Sequence, residues 1–247
     1  MTDPWELAHA AAARAGTTLR PLASVDDAHR LNEVILATWG DQTLDHEIVR
    51  ALGVSGNVPW GAEAEGVLVG FVLGWAGVDR DGLHVHSHML ATVPDRRHAG
   101  VGVALKLAQR AQALDQGIEV VRWTFDPMVA RNAWFNLGKL GAVIDRFERD
   151  FYGAMTDAIN AGERSDRFSV RWDLAREPGP RAVTGPTHRV TVPAEYHDLR
   201  ARDPEAAMLA RDEVAEEVEE YLGEGLLGAQ FDREASAYVF AQPEDVA

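Results

Sequence analysis

Three histidines occupy alternate positions of one run, Leu83-His84-Val85-His86-Ser87-His88-Met89-Leu90. In an extended strand, side chains alternate between faces. The pattern therefore puts His84, His86 and His88 on one face and Val85, Ser87, Met89 and Ala91 on the other. Imidazole changes charge near neutrality, so a row of imidazoles offers a general base that takes a proton directly or through water. Same-face neighbours on a strand lie about 6.5–7 Å apart, which also invites a histidine-liganded metal. Three ligands in a line suit tetrahedral zinc poorly, and no carboxylate in the strand completes a set, so no metal is expected. The plainest alternative is three half-buried imidazoles satisfied by hydrogen bonds.

A second chemical feature follows directly. From Leu90 to Leu114 the chain reads LATVPDRRHAGVGVALKLAQRAQAL. It passes from a strand, through Pro94 and a glycine-bearing loop, into a helix with Val103, Leu107, Ala111 and Leu114 as its apolar stripe. Gly100 and Gly102 stand where the helix starts, permitting close backbone approach and unusual dihedrals. The first turn of a helix has amides without internal partners and the positive end of the macrodipole. Between Arg96 and Leu114 lie Arg96, Arg97, Lys106 and Arg110 and no acid, in a chain with 24 Lys+Arg, 39 Asp+Glu and a net charge of -15. Such a basic island implies a phosphate or pyrophosphate rather than a polyanion surface. The bland alternative is an ordinary turn followed by a solvated helix.

Arg97-His98-Ala99-Gly100-Val101-Gly102 resembles the R/Q-x-x-G-x-G/A signature of the GNAT acyltransferase superfamily, with Pro94 where many members carry a proline. The resemblance implies that Arg96, Arg97, His98, Ala99, Gly100, Val101 and Gly102 hold the pyrophosphate of an acyl-coenzyme A. It also implies that Ala91, Thr92 and Val93 hydrogen-bond the pantetheine arm. In histone-acetylating members the base is a glutamate fourteen residues before the first motif glycine. Counting back from Gly100 gives His86, and His88 lies one step nearer the thioester, so His88 is the first candidate base and His86 the second. Downstream, WTFDPMVARNAWFNLGKLGA resembles the N-x-x-A-x-x-L-Y-x-K-x-G-F helix at Ala133, Lys139, Leu140 and Gly141. The tyrosine that often protonates the leaving thiolate falls at Leu137 and is absent. Asn132 and Asn136, one helical turn apart, are candidate contacts to coenzyme A. Ser87-His88-Met89-Leu90 and the WTFDP run are similar to a little-characterised subgroup, here with a C-terminal extension.

The elements that must position these residues can be read in order. A helix is predicted over Trp5–Ala15, a strand over Thr17–Pro21, and a helix over Ala28–Trp39 started by Ser24-Val25-Asp26-Asp27. A short helix follows over Leu44–Leu52, then a hairpin of Trp60–Ala64 and Val67–Trp75 turning at Glu65-Gly66. The histidine strand and the glycine-loop helix come next, then a strand over Ile118–Thr124, a helix over Ala130–Leu140, and strands over Val143–Tyr152 and Phe168–Leu174. Pattern alone gives an α+β fold with a mixed sheet. The order is the GNAT order, which implies a mixed, mostly antiparallel central sheet flanked by helices.

The expected division is an acyl-coenzyme A-binding domain at 1–175, a proline- and glycine-rich linker at 176–187 and a small lobe at 188–247. The lobe reads β-α-β-β: Arg189–Val192, a helix from Pro204 to about Leu222 with Met208, Val214 or Ala215, Val218 and Leu222 inward, and a hairpin of Leu226–Phe231 and Ala235–Phe240. It is expected to cover the first domain or to join two copies as a homodimer.

A chain of 247 residues that is 46% hydrophobic buries a core easily. The absence of cysteine excludes disulfides, thiolate metal sites and a cysteine nucleophile. The acidic balance argues against nucleic acid or an anionic membrane as partner. No run reaches the roughly 20 apolar residues of a membrane span, and the N-terminal residues lack signal-peptide character, so a cytoplasmic location is expected. The expected activity is acyl transfer from acetyl-CoA, succinyl-CoA or a similar thioester to the amine of a small molecule such as an amino acid. Without a cysteine, direct attack is expected, with Arg122, Arg131 and Arg146 as candidates for a substrate carboxylate. A non-catalytic acyl-coenzyme A-binding module is the alternative from another class.

Overall fold

The structure is a computed structural model and describes residues 2–40, 43–93, 100–153 and 164–247. The fold is α+β, with a mixed, mostly antiparallel sheet and flanking helices. Two compact units divide it, one ending at Arg122 and the other beginning at Trp123, inside one strand.

In the first unit, strands β1 (Thr18–Pro21), β2 (Trp60–Ala64), β3 (Val67–Asp79), β4 (Gly82–Thr92) and the start of β5 (Val120–Phe125) lie in that order. All neighbours are antiparallel except β4 and β5, which pair in parallel at Val85↔Val121 and His86↔Arg122. The β2–β3 hairpin closes at Glu65 and Gly66, both at positive φ, as a two-residue turn requires.

Helices α1 (Pro4–Arg14), α2 (Val25–Trp39), α3 (His46–Val54) and α4 (Val101–Asp115) complete this unit. Ser24 and Asp27 form the capping box that starts α2. Leu31, Val34 and Ile35 of α2 then join Val49 of α3 and Phe71, Leu73 and Ala91 of the sheet in one core cluster.

Helix α4 differs from its expected form. Instead of one apolar stripe, it is buried nearly all round: Ala104, Leu105, Leu107, Ala108, Ala111 and Ala113, and with them Lys106 and Arg110. It packs on the sheet and on α1, so both of its sides are covered. Glycines make room for it. A Cβ on Gly70 would stand 3.3 Å from Leu105 Cδ1, and one on Gly74 would stand 2.9 Å from Gln109 Nε2.

The second unit holds the rest of β5, β6 (Val143–Glu148), β7 (Arg167–Asp173), β8 (His188–Thr191), β9 (Leu227–Asp232) and β10 (Ala237–Ala241), ordered β7-β6-β9-β10-β8. The predicted β-α-β-β pattern of the lobe is present, with an additional short helix α6 (Tyr196–Arg202) before α7 (Pro204–Gly223). The lobe extends the sheet: β9 pairs with β6 at Ile144↔Gly228. The predicted linker is tied down, with Arg181 Nε donating to the Gly141 carbonyl at 2.6 Å and Val183 bridging Val246.

The expected stripe of α7 shifts. Met208 is 58% exposed, while Ala207, Arg211, Val214, Ala215 and Val218 are buried. A charge therefore occupies a core position. Arg211 donates to Asp126 Oδ1 at 3.3 Å and Oδ2 at 3.1 Å and, through Nε, to the Tyr196 hydroxyl at 3.2 Å. The predicted helix after β5 is α5 (Ala130–Ala133) running into a π-helical stretch, Trp134–Leu140. Among the described residues no helix is long and apolar enough to cross a membrane.

Candidate functional site

Strand β4 does not alternate strictly. Leu73 pairs with Met89, but Gly74 pairs with Ser87, so His88 is an extra residue in a β-bulge. The bulge changes which side chains share a face. Ser87 faces α4, where its hydroxyl accepts from Lys106 Nζ at 2.9 Å. Met89 and Ala91, expected beside Ser87, instead join the α2 and α3 side of the sheet, together with Trp75. His86 and His88 lie on that same side. Their ring centroids are 5.9 Å apart and stand 5.2 and 4.9 Å from the Trp75 ring. The expectation that His86 and His88 share a face holds, and the composition of both faces beyond them is corrected by the one-residue slip.

Among the described residues, neither His86 nor His88 makes a side-chain hydrogen bond or an ion pair. Burial, with the positive charges of His88, His84 and Lys106, pushes the His86 pKa down to about 4. Burial also lowers that of His88, which is the more exposed of the two. Both imidazoles are neutral near pH 7. His84 keeps the His86 face, since the register between them is unbroken, and its Nδ1 lies 3.2 Å from the Gly82 carbonyl and 3.9 Å from Asp79. Among the described residues no group of three His, Cys, Asp or Glu side chains is placed to hold a metal ion.

The far end of β4 presents backbone donors. Val93 N–H donates to the Val69 carbonyl at 3.0 Å. Bonded and non-bonded pairs alternate in an antiparallel ladder, so the N–H groups of Leu90 and Thr92 point away from β3. Of the two amides expected to orient a thioester, that of Thr92 is turned outward and that of Val93 is engaged. Ala91 is buried in the core cluster.

Pro94 to Ala99, which include the candidates Arg96, Arg97, His98 and Ala99, lie outside the described residues. Gly100 has φ +105°, a backbone conformation that L side chains rarely adopt, and precedes α4 as its N-cap. Val101 is buried and Gly102 half-buried in the first turn. No acid lies in that turn, and among the described residues no side-chain cap bond is made at its N-cap, Gly100. The basic island is corrected in part. Lys106 is 2% and Arg110 1% exposed, so neither is a surface cation. Burial holds the Lys106 ammonium well below the usual lysine range, and its Nζ also donates to Gln109 Oε1 at 2.9 Å.

Of the remaining candidates, all but Arg122 are in the second unit. Asn136 is buried, and its Oδ1 accepts from the Trp123 indole at 3.1 Å, so it braces β5. Asn132 is half-buried in α5, and Asn136 lies in the π-helical stretch that follows it. Arg122, in the first unit, is buried and donates to Asp81 at 3.2 Å. Arg131 is exposed and Arg146 half-buried. The Arg122–Asp81 pair carries no obvious sequence signal, because the two residues are far apart in the chain.

The sequence model of the acetyltransferase (GNAT) family matches residues 25–138. Solved structures with the same fold include a GNAT-family protein from Desulfovibrio desulfuricans, at 15% identity and a TM-score of 0.50, over 64% of this chain and 99% of that one. Naa20 of Chaetomium thermophilum, in complex with a bisubstrate analogue, aligns at 18% identity and a TM-score of 0.52, over 64% and 87% of the two chains. YncA of Salmonella typhimurium, with acetyl-CoA, aligns at 17% identity and a TM-score of 0.50, over 66% and 97%. No curated protein matches the sequence. The motif at the end of β4, the strand order around it and the matched family model together identify residues 25–138 as a GNAT acetyltransferase domain.

Proposed function

We propose that the protein is an acyl-coenzyme A-dependent N-acyltransferase in which the amine acceptor attacks the thioester directly and His88 takes its proton. The observation that carries this reading is the pair of neutral, unbonded imidazoles on the strand that ends at Thr92 and leads to the first turn of α4. Acyl-coenzyme A supplies the activated acyl group, acetyl, succinyl or a similar unit.

The residues present fit such a group. Gly100 at positive φ and Gly102 leave two positions at the start of α4 without side chains, and its first-turn amides suit an anion. The outward Thr92 N–H is a donor for the pantetheine arm or for the carbonyl oxygen, where charge builds during attack. The base must accept a proton from an ammonium group. A base with a strongly lowered pKa has little driving force for that transfer. His86, pushed down to about 4, is the weaker base. His88, less buried and open to an incoming substrate, is the better one.

Free-thiol release with a panel of amines tests the proposal. His88→Ala should lower turnover by about 10²-fold or more with coenzyme A affinity unchanged. The neutral imidazole is the active form, so the rate should rise with pH through the base's pKa and level off above it. Because both pKa values are lowered, the rise should lie below the ordinary histidine value of about 6.5, with a plateau through pH 7–8. A rate that keeps climbing toward the pKa of the amine, and a His88→Ala variant equal to the parent, would place deprotonation in solution and overturn the role of His88.

A further inference from the structure

We propose that Trp75, His86 and His88 form a seat for an alkylammonium ion, and that the acceptor is an amine carried on an apolar or aromatic body. The proposal rests on the acyl-transfer reading for the word acceptor. The seat itself rests on geometry within the first unit.

The three rings make one cluster. The Trp75 centroid is 5.2 Å from that of His86 and 4.9 Å from that of His88, each tilted 44°. Register places Trp75 directly opposite His86, and the bulge brings His88 to the same side. Trp75 and His86 are half-buried and His88 is exposed, so the cluster is reachable from solvent. No hydrogen bond or ion pair ties a carboxylate to His86 or His88 among the described residues. Among the described residues, what the cluster offers a cation is ring faces, and indole gives the strongest such attraction.

The surroundings define the rest of the ligand. Trp39, Leu44, Leu52, Met89 and Val93 are partly buried and pack with Trp75 against the core cluster. Arg122, paired across from His86 in register, already holds Asp81. Asp81 thus offsets the guanidinium charge beside His86, and the side chains that pack on the core with Trp75 are apolar. An ammonium on a hydrocarbon or aryl chain meets a complementary surface. The seat also places the ammonium proton beside His88, the group assigned to remove it.

Tetramethylammonium is a probe that has the charge but no proton to lose and no nitrogen able to attack. Its neutral counterpart of similar size is tert-butanol. Titrating each into the intact protein, observed by NMR of the indole and imidazole ring signals, should show tetramethylammonium shifting Trp75, His86 and His88 and tert-butanol leaving them unmoved. Trp75→Leu should weaken tetramethylammonium binding about 2- to 30-fold, the range that ring-face attraction supports, and Trp75→Phe should weaken it less.

Equal responses to the two probes, or binding that Trp75→Leu leaves unchanged, would overturn the seat. If Trp75→Leu fails to fold, the comparison of the two probes on the parent and on Trp75→Phe decides. Tetramethylammonium binding without turnover of any amine would remove the acyl-transfer reading and leave the seat standing. Turnover that tetramethylammonium does not inhibit competitively against the amine would do the reverse.

Discussion

Asp126→Asn is the substitution whose cost can be worked most directly from the structure. The Asp126 carboxylate sits 3.3 and 3.1 Å from the two terminal nitrogens of Arg211, 3.7 Å from Arg167 Nη1 and 2.8 Å from the Met128 amide. The Arg211 side chain is 4% and that of Asp126 15% exposed. Asparagine keeps the shape and can still accept from Met128, so little packing is lost. What disappears is the negative charge that two buried guanidinium groups share. Breaking a buried pair in this way costs about 3–5 kcal/mol. At about 2–4 °C per kcal/mol for a chain of this size, Tm should fall by about 6–20 °C.

Urea denaturation should show the same loss as a lower midpoint with an unchanged slope. Arg211→Met removes one guanidinium and leaves Asp126 with Arg167, so it should cost less than Asp126→Asn. The pair Arg149–Glu219 serves as a control. It is also bidentate, at 2.7 and 2.8 Å, but its side chains are 33% and 47% exposed. Breaking it should cost no more than about 1 kcal/mol. An Asp126→Asn protein within 1 kcal/mol of the parent would refute the view that this carboxylate neutralises a buried cationic cluster.

Gly100→Asp should abolish coenzyme A binding, since it adds a carboxylate at the start of α4, and Gly100→Ala should report the part due to φ +105° alone; calorimetry showing unchanged affinity for Gly100→Asp would sink the anion-site reading. His86→Leu should flatten the dependence of stability on pH in weak acid. In the parent, the folded pKa of about 4 lies below the unfolded value of about 6.5, so the unfolded chain binds more protons and stability falls as pH drops from about 6.5 toward about 4. Parallel pH–stability curves for the parent and His86→Leu would show that His86 is not the source of that acid sensitivity.

Much of the fold was legible because its signals are local. Ser24 and Asp27 announce a helix start three residues apart, Glu65-Gly66 announces a tight hairpin, and Asp203-Pro204 announces α7. The glycine motif likewise marks the start of α4 within a few residues. The misses share the opposite property. Alanine carries no polarity signal for which side of a helix is covered, so the burial of α4 on both sides was hidden until its neighbours were in place. Arg211 reads as a solvated residue until Asp126 is brought to it from the end of another element. Val103-to-Leu114 periodicity could not show that Lys106 and Arg110 are buried, because the elements that cover α4 lie elsewhere in the chain.

The bulge at His88 has a consequence for anyone redesigning this protein by combinatorial libraries. A strictly alternating strand would couple positions 84, 86, 88, 90 and 92 as one block. Here the blocks re-sort: His86, His88, Met89 and Ala91 belong to the surface shared with Trp75 and α2, and Val85, Ser87 and Thr92 to the one shared with α4. Substitutions within a block touch common neighbours and should show strong epistasis, whereas pairs drawn from different blocks should be closer to additive. Varying His86 with Met89 and Trp75 therefore samples one coupled surface, although in sequence those residues have opposite parity.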